Sequence, residues 1–205
     1  MVRVKICGIT NSSDALAAAE AGADILGFNF YGKSPRYVSP AEAAVISKRL
    51  PPNVWRVGIF VNEAPAVVRK IAVEVGLTHA QLHGDEDAEA VKDVQVQVIK
   101  AIRVRAGVID RPVEASNIYA YLIDSYSPEY GGSGIKPDQN IAKIIAQVIS
   151  KPFILAGGLT PGNVADAIRI YNPFGVDVAS GVEISPGKKD HGKVREFIKN
   201  AKGHK

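Results

Sequence analysis

Short runs of β-branched and apolar residues alternate with amphipathic stretches of helical length along the whole chain, and this alternation constrains the fold more than any other feature. The strand-like runs fall at residues 2–6, 23–30, 55–61, 79–83, 97–104, 120–124, 152–156 and 175–179. Helix-like stretches fall at 12–21, 40–50, 65–75, 137–149, 161–170 and 190–201. Strands separated by helices read as βα units, because a parallel neighbour is reached only by a crossover. Pro40, Pro65 and Pro161 sit near helix starts, where a missing N–H forfeits no bond, and Ser39 and Thr160 precede two of them as N-caps. The weakest units are the fourth and fifth helices, where 85–92 is short and 105–116 is poorly periodic.

Eight strand–helix units in 205 residues predict an α/β chain folded as a single (β/α)8 TIM barrel, one domain over 1–205. An open doubly wound sheet is the rival, but the Gly-rich turn that its dinucleotide fingerprint places after the first strand is missing. Hydrophobic residues at 46% and charged residues at 22% are enough to build a core. No run approaches the roughly 18 apolar residues of a membrane span, and Met1–Lys5 leads straight into a strand, so a cytoplasmic protein without membrane contact is expected. The net charge of +4 suits an anionic partner, but no basic cluster is interleaved with aromatics, so nucleic acid is not expected. Monomer and homodimer are both compatible with these patterns.

In such a barrel the active site lies where the strands end. Those ends carry Cys7, the loop from Phe28 to Arg36, Asn62, His83, Arg103, Asp124, Gly157-Gly158 and Ser180-Gly181. Two side-chain-poor loops on adjacent strands, at Gly158 and at Ser180-Gly181, expose backbone N–H groups suited to a phosphate dianion. The glycine-rich 130–134 segment, with Gly134, reads either as a connection or as a third wall of that site. Strand alternation puts Arg3, Lys5 and Cys7 on one face and Ala120, Leu122 and Asp124 on another; if both faces point inward, a thiol meets a carboxyl across the mouth.

Cys7 reads two ways, as an inert buried thiol or as a base activated by Lys5 one pleat below, and Asp124 as a capping residue or as an acid. Arg36 follows Lys33-Ser34-Pro35 and is either a solvated charge or a bidentate grip on a carboxylate. No His, Cys, Asp or Glu set has metal-ligand spacing, so no metal is expected.

At these positions the chain resembles the phosphoribosylanthranilate isomerase family. The matching segments are Val4-Lys5-Ile6-Cys7-Gly8-Ile9-Thr10, Gly27-Phe28-Asn29-Phe30-Tyr31, Gln81-Leu82-His83-Gly84, Ala156-Gly157-Gly158-Leu159, and Asp177 to Glu183 followed by Pro186-Gly187-Lys188-Lys189-Asp190. After Gly134 the chain reads Ile135-Lys136-Pro137-Asp138-Gln139, without the aromatics usual in the family. The resemblance implies a cofactor-free Amadori rearrangement of N-(5-phosphoribosyl)anthranilate to 1-(2-carboxyphenylamino)-1-deoxyribulose 5-phosphate in tryptophan biosynthesis. It implies Asp124 as general acid, Cys7 as general base, Arg36 on the anthranilate carboxylate, and Gly134, Gly158, Ser180 and Gly181 on the phosphate. His83 and Asp177 follow as further substrate contacts. A base working near neutral pH predicts a Cys7 pKa below the free value of about 8.5.

A related isomerase of the histidine pathway is expected to carry an Asp where this chain has Cys7, and a binding protein that has lost catalysis has no need of both Cys7 and Asp124.

Overall fold

A computed structural model describes residues 1–105, 108–109, 112–125, 144–145 and 147–203. Eight parallel strands form the centre: β1 Arg3–Cys7, β2 Ile25–Asn29, β3 Trp55–Phe60, β4 His79–Leu82, β5 Gln97–Arg105, β6 Ile118–Ser125, β7 Phe153–Ala156 and β8 Gly175–Val178. Each pairs in parallel with the next, and β8 returns to β1 through Lys5↔Asp177 and Ile6↔Val178, so the sheet closes. All eight predicted strands are present.

Closure makes two cores. Ile25, Val57, Ile99, Leu122 and Ile154 take the inward strand positions and pack together inside the barrel. The alternate positions, among them Val4, Ile6, Leu26 and Phe28, face outward and bury against Ala15, Ala43, Ile46, Val68, Val164 and Phe197 of the surrounding helices. Among the described residues, helices with defined ends are α1 Ser12–Glu20, α2 Pro40–Ser47, α3 Pro65–Val75, α4 Ala88–Asp93, α5 Val164–Tyr171 and α6 His191–Lys202. Ser39 caps α2 in a reciprocal box with Glu42, as its sequence position predicts.

Several elements differ from the pattern in the sequence or lie outside the described residues. Helix α5 begins at Val164, not at 161, because Pro161 and Gly162 make a turn in which Asn163 N donates to Thr160 O. Asn163 therefore replaces Thr160 at the N-cap position. No fifth helix occurs among the described residues of 105–116; Val108–Ile109 instead folds back antiparallel on β5 through Val104↔Ile109. Of the predicted helix 137–149, residues 144–145 and 147–148 are helical, and the rest up to 143, with 146, lies outside the described residues. The 130–134 segment with Gly134, and the divergent 135–139 stretch, lie outside them too.

The strand starts are sealed by rings. Trp55 stacks on His79 at 4.3 Å between centroids, Tyr119 meets both edge-on, and the Arg3 guanidinium lies 4.7 Å over Trp55. The opposite end stays open. After β8 the chain makes a 3-10 turn, Ser180–Val182, and a small hairpin of Glu183–Ser185 with Lys188–Lys189.

Candidate active site

The open end holds a cavity of about 230 Å3 at the C-terminal ends of the strands. Cys7 reaches it from β1, Asn29 and Arg36 from β2 and its loop, Gln81 and His83 from β4, and Asp124 from β6. Gly157, Gly158, Asp177 and Ser180 complete its wall. Seven of the nine predicted site residues thus meet in one cavity: Cys7, Arg36, His83, Asp124, Gly158, Asp177 and Ser180. Gly181 is not on its surface but packs against the Leu159 carbonyl, where a Cβ would overlap that oxygen. It therefore holds the two candidate phosphate loops together. Gly134 is the ninth.

Lys5 lies fully buried one pleat below Cys7 and its Nζ donates to Asp177 Oδ1 at 2.9 Å. Burial drags the Lys5 ammonium down, but Asp177 and Cys7 outweigh it, so the lysine stays charged. Asp177 therefore spends one oxygen on Lys5. For Cys7 the balance runs the other way. Burial pushes the thiol up, the Lys5 and Lys189 ammonium groups pull it down, Asp177 pushes it up, and the sum is a raised pKa. The predicted lowering is overturned, because desolvation of a thiolate in this narrow interior outweighs the nearby cations.

The carboxyl across the cavity has a pair of polar neighbours from β4 and its end. Gln81 Nε2 lies 2.8 Å from His83 Nδ1, and His83 Nε2 lies 3.3 Å from Asp124 Oδ2. If the Gln81 amide donates to Nδ1, a neutral His83 carries its hydrogen on Nε2, on the side of the ring near Asp124. Asp124 thus lines the cavity with the His83 ring 3.3 Å from its Oδ2. Arg103 steadies this wall by donating to His83 O at 3.0 Å and pairing with Asp85. Gln81 joins the site beyond the residues expected from sequence: a buried amide at an inward position of β4, between apolar Ala80 and Leu82, is the local mark of it.

Arg36 is placed by its own loop. Asn29 Nδ2 and Arg36 N both donate to Ser34 Oγ at 3.1 Å, which folds the chain back over the end of β2. Its guanidinium is gripped by Glu183, whose role no sequence pattern announced. Gly157 and Gly158 both adopt left-handed backbone, at φ 88° and 62°, and this turns the loop after β7 so that its backbone lines the cavity. Ser180 opens a 3-10 turn, whose first amides have no acceptor within the turn. Among the described residues, no group of three or more His, Cys, Asp or Glu is placed to hold a metal ion, and no helix is long and apolar enough to cross a membrane.

The chain as a whole has counterparts among known proteins. The family model described as N-(5'phosphoribosyl)anthranilate (PRA) isomerase matches residues 4–200. The chain belongs to this family of isomerases. A relative named N-(5'-phosphoribosyl)anthranilate isomerase, from Trichlorobacter lovleyi, is 51% identical over 98% of this chain and 98% of its own length. The solved phosphoribosyl anthranilate isomerase of Thermotoga maritima matches with a TM-score of 0.88 at 48% identity, covering 99% of this chain and all of that one. A solved family member in complex with reduced 1-(o-carboxyphenylamino)-1-deoxyribulose 5-phosphate matches with a TM-score of 0.85 at 44% identity, covering 99% and 100% of the two chains. Family membership favours the isomerase expectation over a histidine-pathway enzyme or a binding protein that has lost catalysis.

Proposed function

We propose that the cavity at the strand ends catalyses the Amadori rearrangement of N-(5-phosphoribosyl)anthranilate to 1-(2-carboxyphenylamino)-1-deoxyribulose 5-phosphate, a step of tryptophan biosynthesis. The observation that carries this is the opposition of Cys7 and Asp124 in one cavity, beside Arg36 and the loops at Gly158 and Ser180. Asp124 gives a proton to the furanose ring oxygen, the C1–O bond breaks, and a Schiff base forms. The Cys7 thiolate then takes the C2 proton, leaving an enolamine that tautomerises to the ketose. Each turnover leaves Asp124 one proton short and Cys7 one proton rich, and solvent exchange restores both. An acid and a base suffice for this, so no cofactor is invoked.

Arg36 takes the anthranilate carboxylate end-on, and the amides around Gly158, Ser180 and Gly181 take the phosphate. We assign Gly134 to the same phosphate wall by resemblance alone. Asp177 Oδ2 and His83 border the sugar between these anchors, which together fix C2 against the thiol. We read residues 1–205 as one domain, since the strands close on one another, and place the reaction in the cytoplasm. One barrel supplies every group used, so monomer and homodimer are both competent.

The test is anthranilate fluorescence after adding enzyme to freshly generated substrate, with Cys7→Ala and Asp124→Ala alongside. Rapid loss of substrate fluorescence with the wild type and a fall of about 10²-fold or more with each variant is expected. Full activity in either variant removes that residue from its role.

A further inference from the structure

Arg36 sits in a built mount that the acid–base steps do not call on. Its side chain crosses Gly8, which has φ +75°, and a Cβ there would lie 2.6 Å from Arg36 Cδ. Any larger residue at that position closes the lane. Beyond it, Arg36 Nε donates to both Glu183 oxygens at 2.9 and 3.2 Å, and Nη2 donates to Oε2 at 2.7 Å. Glu183 also accepts from Lys189 Nζ at 2.8 Å and Gly187 N at 3.2 Å, and Glu183 and Lys189 are both buried. Burial pushes the Glu183 carboxyl up, but its bonds to Arg36 and Lys189 hold it below the usual carboxylate range. It is an anion in the folded protein.

Two features of this cluster go beyond holding a loop in place. A guanidinium has five N–H donors on two usable edges. Glu183 takes the Nε–Nη2 edge, which leaves Nη1 and the second Nη2 hydrogen as an intact end-on fork on a residue that lines the cavity. The charges also count unevenly, with two cations against one anion. Were Glu183 alone beside Arg36 it would cancel the charge that a bound carboxylate needs. Lys189 neutralises Glu183 instead, so Arg36 keeps its attraction.

We propose that Glu183 and Lys189 are positioning residues that set specificity for a substrate bearing an aryl carboxylate: Glu183 fixes the plane of Arg36, and Lys189 keeps its charge available. This rests on the reading of Arg36 as the carboxylate clamp and extends it to residues 147 and 6 positions apart in the chain.

Calorimetric titration with two stable product analogues tests it: reduced 1-(o-carboxyphenylamino)-1-deoxyribulose 5-phosphate, and its counterpart without the carboxylate. The wild type prefers the first. Glu183→Gln lowers that preference about tenfold while the second analogue binds within about twofold of wild type, and Lys189→Met erodes the preference as well. Glu183→Asp, which keeps the charge but shortens the reach, retains part of it and serves where Glu183→Gln does not fold. A merely structural role weakens both analogues together and leaves their ratio unchanged, which overturns the proposal. Tighter binding of the carboxylated analogue by Glu183→Gln overturns it too, since Glu183 would then be a competitor for Arg36. Arg36→Met separates the two levels. If it leaves the preference intact, the clamp reading fails; if it abolishes the preference while the Glu183 and Lys189 variants keep it, the mount alone fails.

Discussion

A thiol that removes a proton from carbon works through its thiolate, so the direction in which its environment pushes it sets the pH profile. Burial is the largest influence on Cys7 and pushes its pKa up, against the pull of Lys5 and Lys189. Thiolate is then the minor form at neutral pH, and the rate follows its fraction. We expect kcat/KM to climb with pH from neutrality, by up to about tenfold per unit, until the thiol titrates. The rate of alkylation of Cys7 by iodoacetamide should rise over the same range. A plateau already reached at pH 7, in either measurement, contradicts the raised value. Cys7→Ser replaces the thiol by a hydroxyl that titrates far higher, and should lower kcat by about 10²–10⁴ with folding intact, as circular dichroism and turnover together would show.

At the scale of elements, what matters is how two loops from adjacent strands are held against each other. Gly181 meets the Leu159 carbonyl so closely that a Cβ has no room, and the Gly158 and Ser180 backbones therefore share one wall. Gly181→Ala must part them. We expect a rise in KM of about tenfold with a smaller change in kcat, because phosphate binding serves ground state and transition state alike. An unchanged KM in steady-state assays refutes the shared wall. This contact was not legible in the sequence, since it depends on β7 and β8 lying side by side once the barrel closes. The strands were legible because β-branched runs announce themselves over a few residues, and strand parity put Cys7 and Asp124 on faces that could meet at the mouth, where both line the cavity, while their roles came only with the resemblance. The start of α5 was misread because Pro161 is a good first-turn residue, yet Gly162 behind it makes a turn instead. The grip of Glu183 on Arg36 spans 147 positions and leaves no local trace.

For the whole molecule, the division of labour between the two barrel ends determines how acid affects it. The chemistry sits where the strands end, while the strand starts are closed by Trp55, His79, Tyr119 and Phe174 under Arg3. Burial, with the Arg3 charge adding to it, lowers the His79 pKa from 6.5 to about 4. Its Nδ1 lies 2.9 Å from Thr78 Oγ1, whose own hydrogen goes to Arg56 O. Between those two pH values the unfolded chain binds a proton that the folded chain refuses, so the contribution is fully present above 6.5 and is lost as pH falls towards 4. At about 1.4 kcal/mol per pH unit, the loss approaches about 3 kcal/mol, a large share of the roughly 5–15 kcal/mol that stabilises an ordinary domain. His79→Phe keeps an aromatic face on Trp55 and has nothing to titrate. Urea unfolding from pH 7 to 4 should therefore show a shallower fall in stability for His79→Phe than for the wild type, the difference growing as pH drops. Parallel curves would mean that His79 accepts a proton in place, and that the seal at the strand starts tolerates charge. Activity at neutral pH should be the same in both, because the ring lies at the far end of the barrel from the cavity that holds Cys7 and Asp124.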